Sequence, residues 1–571
     1  MKLKVAFILF CLAIVYASEK ELRQCEPQGV KISLGDNRDK TVKLYSFKQK
    51  SSSHDYTITY FSKEKCPQNY IKAYQSQETE AKLYPKITYF KQDPDTITTP
   101  EDQTRDQVFE VYIYEFQIDV KKLNLEVDNF INYSCFYSTD DGASFVQKGE
   151  YKFYNTDFSK LSNREVKVLW VADFDIDKTG IQKFNGRKFG YDNMKRIEKY
   201  IKKNRKQYTS IIGGGDYAYD LVDDSGQRGA NFLNAGEFLF SQIPFVTIAG
   251  NHEGWYNFQY YNAFFRNPNY SKTKNDYYTL DFGNLVMIGI NTNRFIRDEQ
   301  NKITGLEQPY FTNLVSWLDK TLYWANQNYQ WVVVFTHQNY YCFEDNIFGS
   351  CYKNPQAMAP LENVLLKHKV DIYLSGHIHA YERIHPIKNG ELQFKENSQC
   401  SFNKCSVYKQ PQAPVYVVDG TGGTKHLFLQ DQGYQGHPKF TASSDRHLGF
   451  STISVKNSTH LHFQHILSDT FQVFDEFYIY KPDSSSKDSE QYSTPEVSYD
   501  SEFITNSSAS NMVYFIFIFL IFCLVFIVIY LLYRKRNNPQ STSRQNSYNP
   551  NNAYNQQFSM NQQRNSDDSL D

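Results

Sequence analysis

From about residue 165 to residue 481 the chain alternates two kinds of segment. Short runs rich in β-branched and aromatic residues, such as Val166-Lys167-Val168-Leu169-Trp170-Val171, Phe245-Val246-Thr247-Ile248 and Trp331-Val332-Val333-Val334, read as buried strands. Between them, residues 191–204, 231–242, 309–326 and 358–368 are helix-like. Strands alternating with helices predict an α/β domain whose site lies at the carboxyl edge of its sheet. Residues 18–161 follow a different rule. Segments 41–45, 56–60, 108–112 and 130–134 alternate in polarity or are β-branched and aromatic, with no long helical period between them. That pattern predicts an N-terminal all-β sandwich.

The two ends set an expected topology. Residues 1–17 carry two lysines, an apolar core and a small-residue cleavage site at Ala17, the pattern of a secretory signal. Residues 512–533 form an uncharged apolar run long enough to span a bilayer, and Arg534-Lys535-Arg536 places the following side in the cytosol. Residues 482–511 read as a flexible stalk and residues 534–571 as a disordered cytosolic tail. The expectation is a single-pass type I membrane protein with its catalytic region extracellular or in a lysosome-like or secretory lumen. Sequons at Asn132, Asn269, Asn457 and Asn506 agree with that route. So do the cysteines. Cys342 with Cys351 and Cys400 with Cys405 are close enough for local bridges, while Cys25, Cys66 and Cys135 allow one pair and leave one thiol. A formal net charge of -1 and the lack of a basic stripe argue against a nucleic-acid partner.

Five motifs carry the chemistry: Ala172-Asp173-Phe174-Asp175, Gly215-Asp216-Tyr217-Ala218-Tyr219, Gly250-Asn251-His252-Glu253, Val334-Phe335-Thr336-His337 and Gly376-His377-Ile378-His379. Each sits just past a strand-like run, and together they supply seven metal ligands. Phosphate esters repel a hydroxide nucleophile, and two cations about 3.5–4 Å apart neutralise that charge and generate hydroxide from water. Asp216 is the natural bridge between them. Asp173, Tyr219 and His379 fall to one ion, and Asn251, His337 and His377 to the other.

These motifs resemble those of the purple acid phosphatases, a branch of the metallophosphoesterase superfamily with the pattern DxG, GDxxY, GNH(D/E), VxxH and GHxH. Four of the five are matched in full. His379-Ala380-Tyr381-Glu382-Arg383 and Asp419-Gly420-Thr421-Gly422-Gly423 resemble the larger plant and fungal members. The resemblance implies a four-layer α/β/β/α catalytic sandwich, a fibronectin-type-III-like domain before it, and hydrolysis of phosphate monoesters. It also implies Fe(III) on Tyr219, whose phenolate is a hard anionic donor, with a second divalent metal (Zn, Mn or Fe) on the imidazole side. Asn251 and His252 become the phosphate contacts, and His252 the general acid.

Two departures stand out. Asp175 replaces the usual Gly, and reads as an extra ligand, a hydrogen-bond acceptor behind the ligands, or a solvated loop carboxylate. The loop after His337, from Gln338 to Asn346, lacks the histidines that many members carry there. His460, His462 and His465 read as solvent-facing strand residues. The rival functions are a phosphodiesterase of the same superfamily and a non-catalytic surface receptor.

Overall fold

The computed structural model describes residues 24–39, 55–92, 109–158, 165–176, 189–294, 308–342, 359–393, 400–401, 404–405, 407–424, 439–455 and 457–482. The expected signal, span and tail, and the stalk beyond Pro482, lie outside these residues. Segment 41–45 does as well. Among the described residues no helix is long and apolar enough to cross a membrane.

The first eight strands are β1 (Gln28–Leu34), β2 (Tyr56–Ser62), β3 (Gln68–Tyr74), β4 (Ala81–Leu83), β5 (Lys86–Lys91), β6 (Glu110–Ile118), β7 (Asn129–Ser138) and β8 (Val146–Asn155). They form two four-stranded sheets, β1-β2-β6-β5 and β4-β3-β7-β8, paired antiparallel throughout. The sandwich expectation holds. Ile32, Ile58 and Phe116 from one sheet and Ile71, Ile131 and Phe153 from the other are buried in a shared core. Cys25 is bonded to Cys66, and Cys135 is the buried free thiol. Cys342 is also disulfide-bonded, its expected partner Cys351 lying outside the described residues. Cys400 faces Cys405 across a two-residue strand pair. Of the sequons, Asn457 is exposed, whereas Asn269 is buried and so inaccessible in the folded chain.

From residue 166 onward the chain forms two seven-stranded sheets. The first runs β11-β10-β9-β20-β21-β22-β17 and the second β12-β13-β14-β15-β18-β16-β19. Their strands are β9 (Val166–Val171), β10 (Tyr208–Gly213), β11 (Phe245–Thr247), β12 (Tyr277–Phe282), β13 (Leu285–Ile290), β14 (Trp331–Phe335), β15 (Ile372–Ser375) and β16 (Tyr381–Ile384). β17 (Val407–Lys409), β18 (Val415–Asp419), β19 (Thr441–Asp445), β20 (Gly449–Val455), β21 (His460–Leu467) and β22 (Val473–Tyr480) complete them. The longer helices are α1 (Phe189–Lys202), α2 (Gln227–Phe240), α3 (Trp255–Phe264), then, after the single turn α4 (Tyr270–Thr273), α5 (Gln308–Asn328) and α6 (Ala359–Lys367).

Side-chain alternation explains the layers. In β9, Val168 and Trp170 join the core between the sheets, while Leu169 and Val171 pack with Met194 and Ile197 of α1 and Leu239 of α2. In β14, Trp331, Val333 and Phe335 face between the sheets, while Val332 and Val334 meet Leu318 of α5 and Leu365 of α6. Helices thus cover the outer face of each sheet, and strands apolar on both faces are what that arrangement requires.

The same layering corrects one expectation. His462 and His465 are buried rather than solvent-facing, and His460 is half-buried. His462 stacks on Tyr478 with ring centroids 4.1 Å apart and pairs with Glu476 at 3.0 Å. Both faces of β21 are covered, so its alternation does not point one side to water.

β1 joins the two regions at α2. The Gly29 amide donates to Asn234 at 2.8 Å and the Val30 amide to Glu237 at 3.2 Å, while the Tyr151 hydroxyl donates to the other Glu237 oxygen at 2.7 Å. Across the inter-sheet space, Arg383 of β16 grips Asp475 of β22 with Nε at 2.7 Å and Nη2 at 2.9 Å, and Tyr381 donates to the same carboxylate at 2.6 Å. Burial alone would raise the Asp475 carboxyl, but Arg383 and the Tyr381 hydroxyl outweigh it and hold it below the usual range. Asp475→Asn should therefore cost about 3–5 kcal/mol near neutral pH. A depressed carboxylate stabilises the fold above its unfolded value of about 3.9 and loses that contribution as pH falls through its native value. Thermal melts of both proteins should diverge at neutral pH and converge below about pH 4. Parallel curves across that range would count against the ion pair.

Candidate metal centre

Each motif occupies the loop beyond the carboxyl end of a strand. Asp173 follows β9, Asp216 and Tyr219 follow β10, and Asn251 and His252 follow β11, three neighbouring parallel strands of one sheet. His337 follows β14, and His377 and His379 follow β15, parallel neighbours in the other. The loops bend sharply. Asp173 (φ 60), Asp216 (φ 57), Tyr219 (φ 42) and His377 (φ 71) all adopt left-handed backbone, a region that side chains usually avoid and that clusters at functional sites. Gly215 (φ 101) permits the tightest approach, since a methyl there would lie 2.5 Å from His337 Nδ1 and 2.7 Å from the Gly250 amide nitrogen.

All seven predicted ligands converge, in two adjoining groups. His337 Nε2 stands 3.2 Å from Asp216 Oδ2, 3.1 Å from Asn251 Oδ1 and 3.2 Å from His377 Nδ1. Beside it, the Tyr219 hydroxyl lies 3.0 Å from His379 Nε2 and 3.4 Å from Asp173 Oδ1, with His379 Nε2 3.5 Å from that same oxygen. His337 Nδ1 donates to the Gly214 carbonyl at 2.8 Å, so Nε2 faces the other donors. Against its burial, Asp216 lifts His337 to about 9, so a proton on Nε2 satisfies these acceptors in the protein alone and a metal ion would displace it; the carboxylate, phenol, amide and imidazole donors together fit a metal pair.

The electrostatics agree. Burial first, then the charges of Asp173 and Asp216, push the Tyr219 phenol well above its ordinary range, so a phenolate there requires positive charge beside it. Burial and the neighbouring His337 depress His377 to about 3, leaving it a neutral donor. Asp216 is held strongly ionised, His337 and His252 outweighing its burial.

His252 sits at the mouth of the site, its ring centroid 4.6 Å from that of Tyr219 and its Nε2 3.9 Å from Asp216 Oδ2. Its Nδ1 meets Asp220 Oδ1 at 2.6 Å, and Trp255 Nε1 donates to that same oxygen at 2.9 Å. Burial disfavours the imidazolium, yet Asp216 and Asp220 prevail and lift it to about 10. With His252 as the expected general acid, Asp220→Ala should lower kcat about tenfold or more by freeing its ring. It should also move the alkaline limb of the pH profile to lower pH, because the raised His252 value loses one support. An unmoved limb would remove Asp220 from this role.

Asp175 is not solvated but is the expected hydrogen-bond acceptor behind the ligands, its donor Arg228 also holding the Ala218 carbonyl between Asp216 and Tyr219. It is buried, and Arg228 of α2 pairs with its Oδ2 at 2.7 Å. The left-handed turn at Asp173 breaks the extended geometry that would have put both carboxylates on one side. Sequence reasoning missed Asp220, Arg228 and the bracing role of Glu253. Glu253 accepts the amides of Gly250 (2.7 Å), Asp216 (2.8 Å) and Tyr217 (2.9 Å), tying two motifs together. Its place inside the third motif was the available signal. Asn339 braces the loop before His377 by donating to Ser375 Oγ and the Gly376 carbonyl, both at 2.8 Å.

Residues 166–381 match the calcineurin-like phosphoesterase family, so the fold and the strand-end donor sets are those of a metallophosphoesterase. Residues 413–476 match the iron/zinc purple acid phosphatase-like protein C family. Human acid phosphatase type 7 is 26% identical over 308 residues, 51% of this chain and 66% of that protein. Fe(3+)-Zn(2+) purple acid phosphatase 12 of Arabidopsis thaliana is 28% identical over 155 residues, 27% of this chain and 31% of that protein. The purple acid phosphatase PPD1 of yellow lupin (Lupinus luteus) superposes with a TM-score of 0.61 at 17% identity, covering 82% of this chain and 78% of its own. The chain belongs to the purple acid phosphatase family within the metallophosphoesterase superfamily. The matched region falls just short of two thirds of the human relative, at 66%.

Proposed function

We propose that this protein is a membrane-anchored acid phosphatase that hydrolyses phosphate monoesters at a dinuclear metal centre. The observation that carries this reading is the convergence of the two donor groups, with Asp216 3.2 Å from His337 Nε2 and its charge also acting on the Tyr219 phenol. Asp173, Tyr219 and His379 would hold Fe(III), and Asn251, His337 and His377 a divalent Zn, Mn or Fe. When bound, the pair would neutralise the phosphate and supply hydroxide from water. The rest falls to side chains. Asn251 and His252 orient the phosphate. Asp220 holds His252 by Nδ1, so that Nε2 carries the proton for the departing alcohol. Asp216 and Asp220 both favour that proton against the burial of the ring.

The domain plan proposed with it has a cleaved signal at 1–17, a fibronectin-type-III-like sandwich at 18–161, a catalytic domain at 165–481, a stalk at 482–511, a membrane span at 512–533 and a cytosolic tail at 534–571. The catalytic domain would then face a secretory or lysosome-like lumen or the cell exterior. The test compares one chromogenic phosphomonoester with its matching diester across about pH 4–8, spanning the titration of carboxylates and histidine. Monoester turnover highest at acid pH is the expected result. Diester preference would make the protein a phosphodiesterase, and two bound metals without turnover would make it a receptor.

A further inference from the structure

Behind the metal loops lies a buried cluster that none of the five motifs contains. Asp419, the last residue of β18, is fully buried and its carboxylate has four contacts. Oδ1 accepts the Thr421 hydroxyl at 2.6 Å and the Thr421 amide at 3.3 Å; Oδ2 accepts Ser451 Oγ at 2.5 Å and meets His465 Nδ1 at 3.3 Å. Ser451 and His465, on β20 and β21, have no solvent exposure. A carboxylate this deep is costly unless its partners hold it in one geometry. Here that geometry fixes the turn Gly420-Thr421-Gly422-Gly423 through Thr421.

The turn is wedged between two ligand loops. A methyl at Gly420 would fall 2.7 Å from Asp173 Oδ2 and would strike the Ile378 carbonyl. The Gly422 amide donates to the Ala172 carbonyl at 3.0 Å, and the Gly420 amide to the Ala380 carbonyl at 3.2 Å. His465 also stacks on Tyr381, with ring centroids 4.1 Å apart and planes 10° from parallel. Tyr381 lies two residues beyond His379. Both loops reached in this way, those of Asp173 and His379, serve the Tyr219 side of the centre. Of the donors on the other side, His377 shares the His379 loop and gives its amide to Asp173 Oδ2 at 2.8 Å, whereas Asn251 and His337 lie on loops that these hydrogen bonds do not touch.

We propose that Asp419 and His465 are positioning residues for the ion on the Tyr219 side, setting Asp173 and His379 through the glycine turn and the Tyr381 stack. The proposal rests on the two-metal reading above. The test uses full-length protein with Asp419→Asn, Ser451→Ala and two changes at His465. His465→Phe keeps a ring on Tyr381 without the N–H, and His465→Gln keeps a donor without the ring. Iron and second-metal retention under chelator competition, the visible spectrum and the melting midpoint are measured for each. The first three variants should lose about 10- to 100-fold in affinity for the Tyr219-side ion, with a shifted absorption band and a smaller loss of the second ion, which is reached through His377 alone. His465→Gln should restore part of that affinity. Ser451→Ala, which removes a single hydrogen bond, keeps the test open where Asp419→Asn does not fold. Retention of both ions within twofold of wild type, with only a lower melting midpoint, would overturn the proposal. Equal loss of both ions would overturn it too. A wild-type protein that binds no metal pair overturns the two-metal reading first and the proposal with it.

Discussion

Asp216→Asn is expected to reduce phosphomonoester turnover by about three orders of magnitude or more. Charge stabilisation by a metal pair is worth several kcal/mol, and each 1.36 kcal/mol is about tenfold in rate. The neutral amide would lose the carboxylate charge that faces His337 Nε2 at 3.2 Å and also acts on the Tyr219 phenol. Asp216 Oδ1 also accepts the His252 amide at 3.0 Å, so the phosphate-binding loop loosens with the metals. Steady-state kinetics and metal analysis on one preparation separate the effects. A variant that keeps both ions and more than about a tenth of the activity would refute Asp216 as the bridge, since that loss is only about 1.4 kcal/mol.

Tyr219→Phe has the second large effect. The substitution keeps the ring against His252, at 4.6 Å between centroids, and removes only the hydroxyl that meets His379 and Asp173. Loss of the hard anionic donor should remove the preference for a trivalent ion. The wild-type protein is expected to absorb visible light through phenolate-to-iron charge transfer. The variant should lose that band and most of its iron while retaining its fold by circular dichroism. Two bound metals with no band in the wild type, or an unchanged band in the variant, would exclude Tyr219 as the iron ligand.

Much of this centre was legible before any fold was known. The ligand loops are local objects: a strand-like run, then a donor at fixed spacing. β9, β11 and β14 stand at the predicted places, and the predicted helices agree with α1, α2, α5 and α6 to within a few residues. What misled was inference about a side chain's surroundings. His465 was placed toward solvent because period-two alternation ordinarily has a wet side, yet β21 sits inside a sheet covered on both faces. For Asp175 the expected hydrogen-bond acceptor behind the ligands is the reading that fits, but the sequence did not name its donor. Its partner Arg228 lies 53 residues away on α2, and its direction is set by the left-handed turn at Asp173.

The sequence by itself thus determined the strand and helix pattern, the seven donors and their order, because short-range period and spacing encode these directly. The tertiary structure alone decided which of three cysteines pair, Cys25 with Cys66 across 41 residues, and that Asp220 steadies His252. It also decided that Asp419 and His465, 46 residues apart, meet behind Asp173. Such pairings depend on how whole sheets and helices stack, and no local pattern of polarity carries that information.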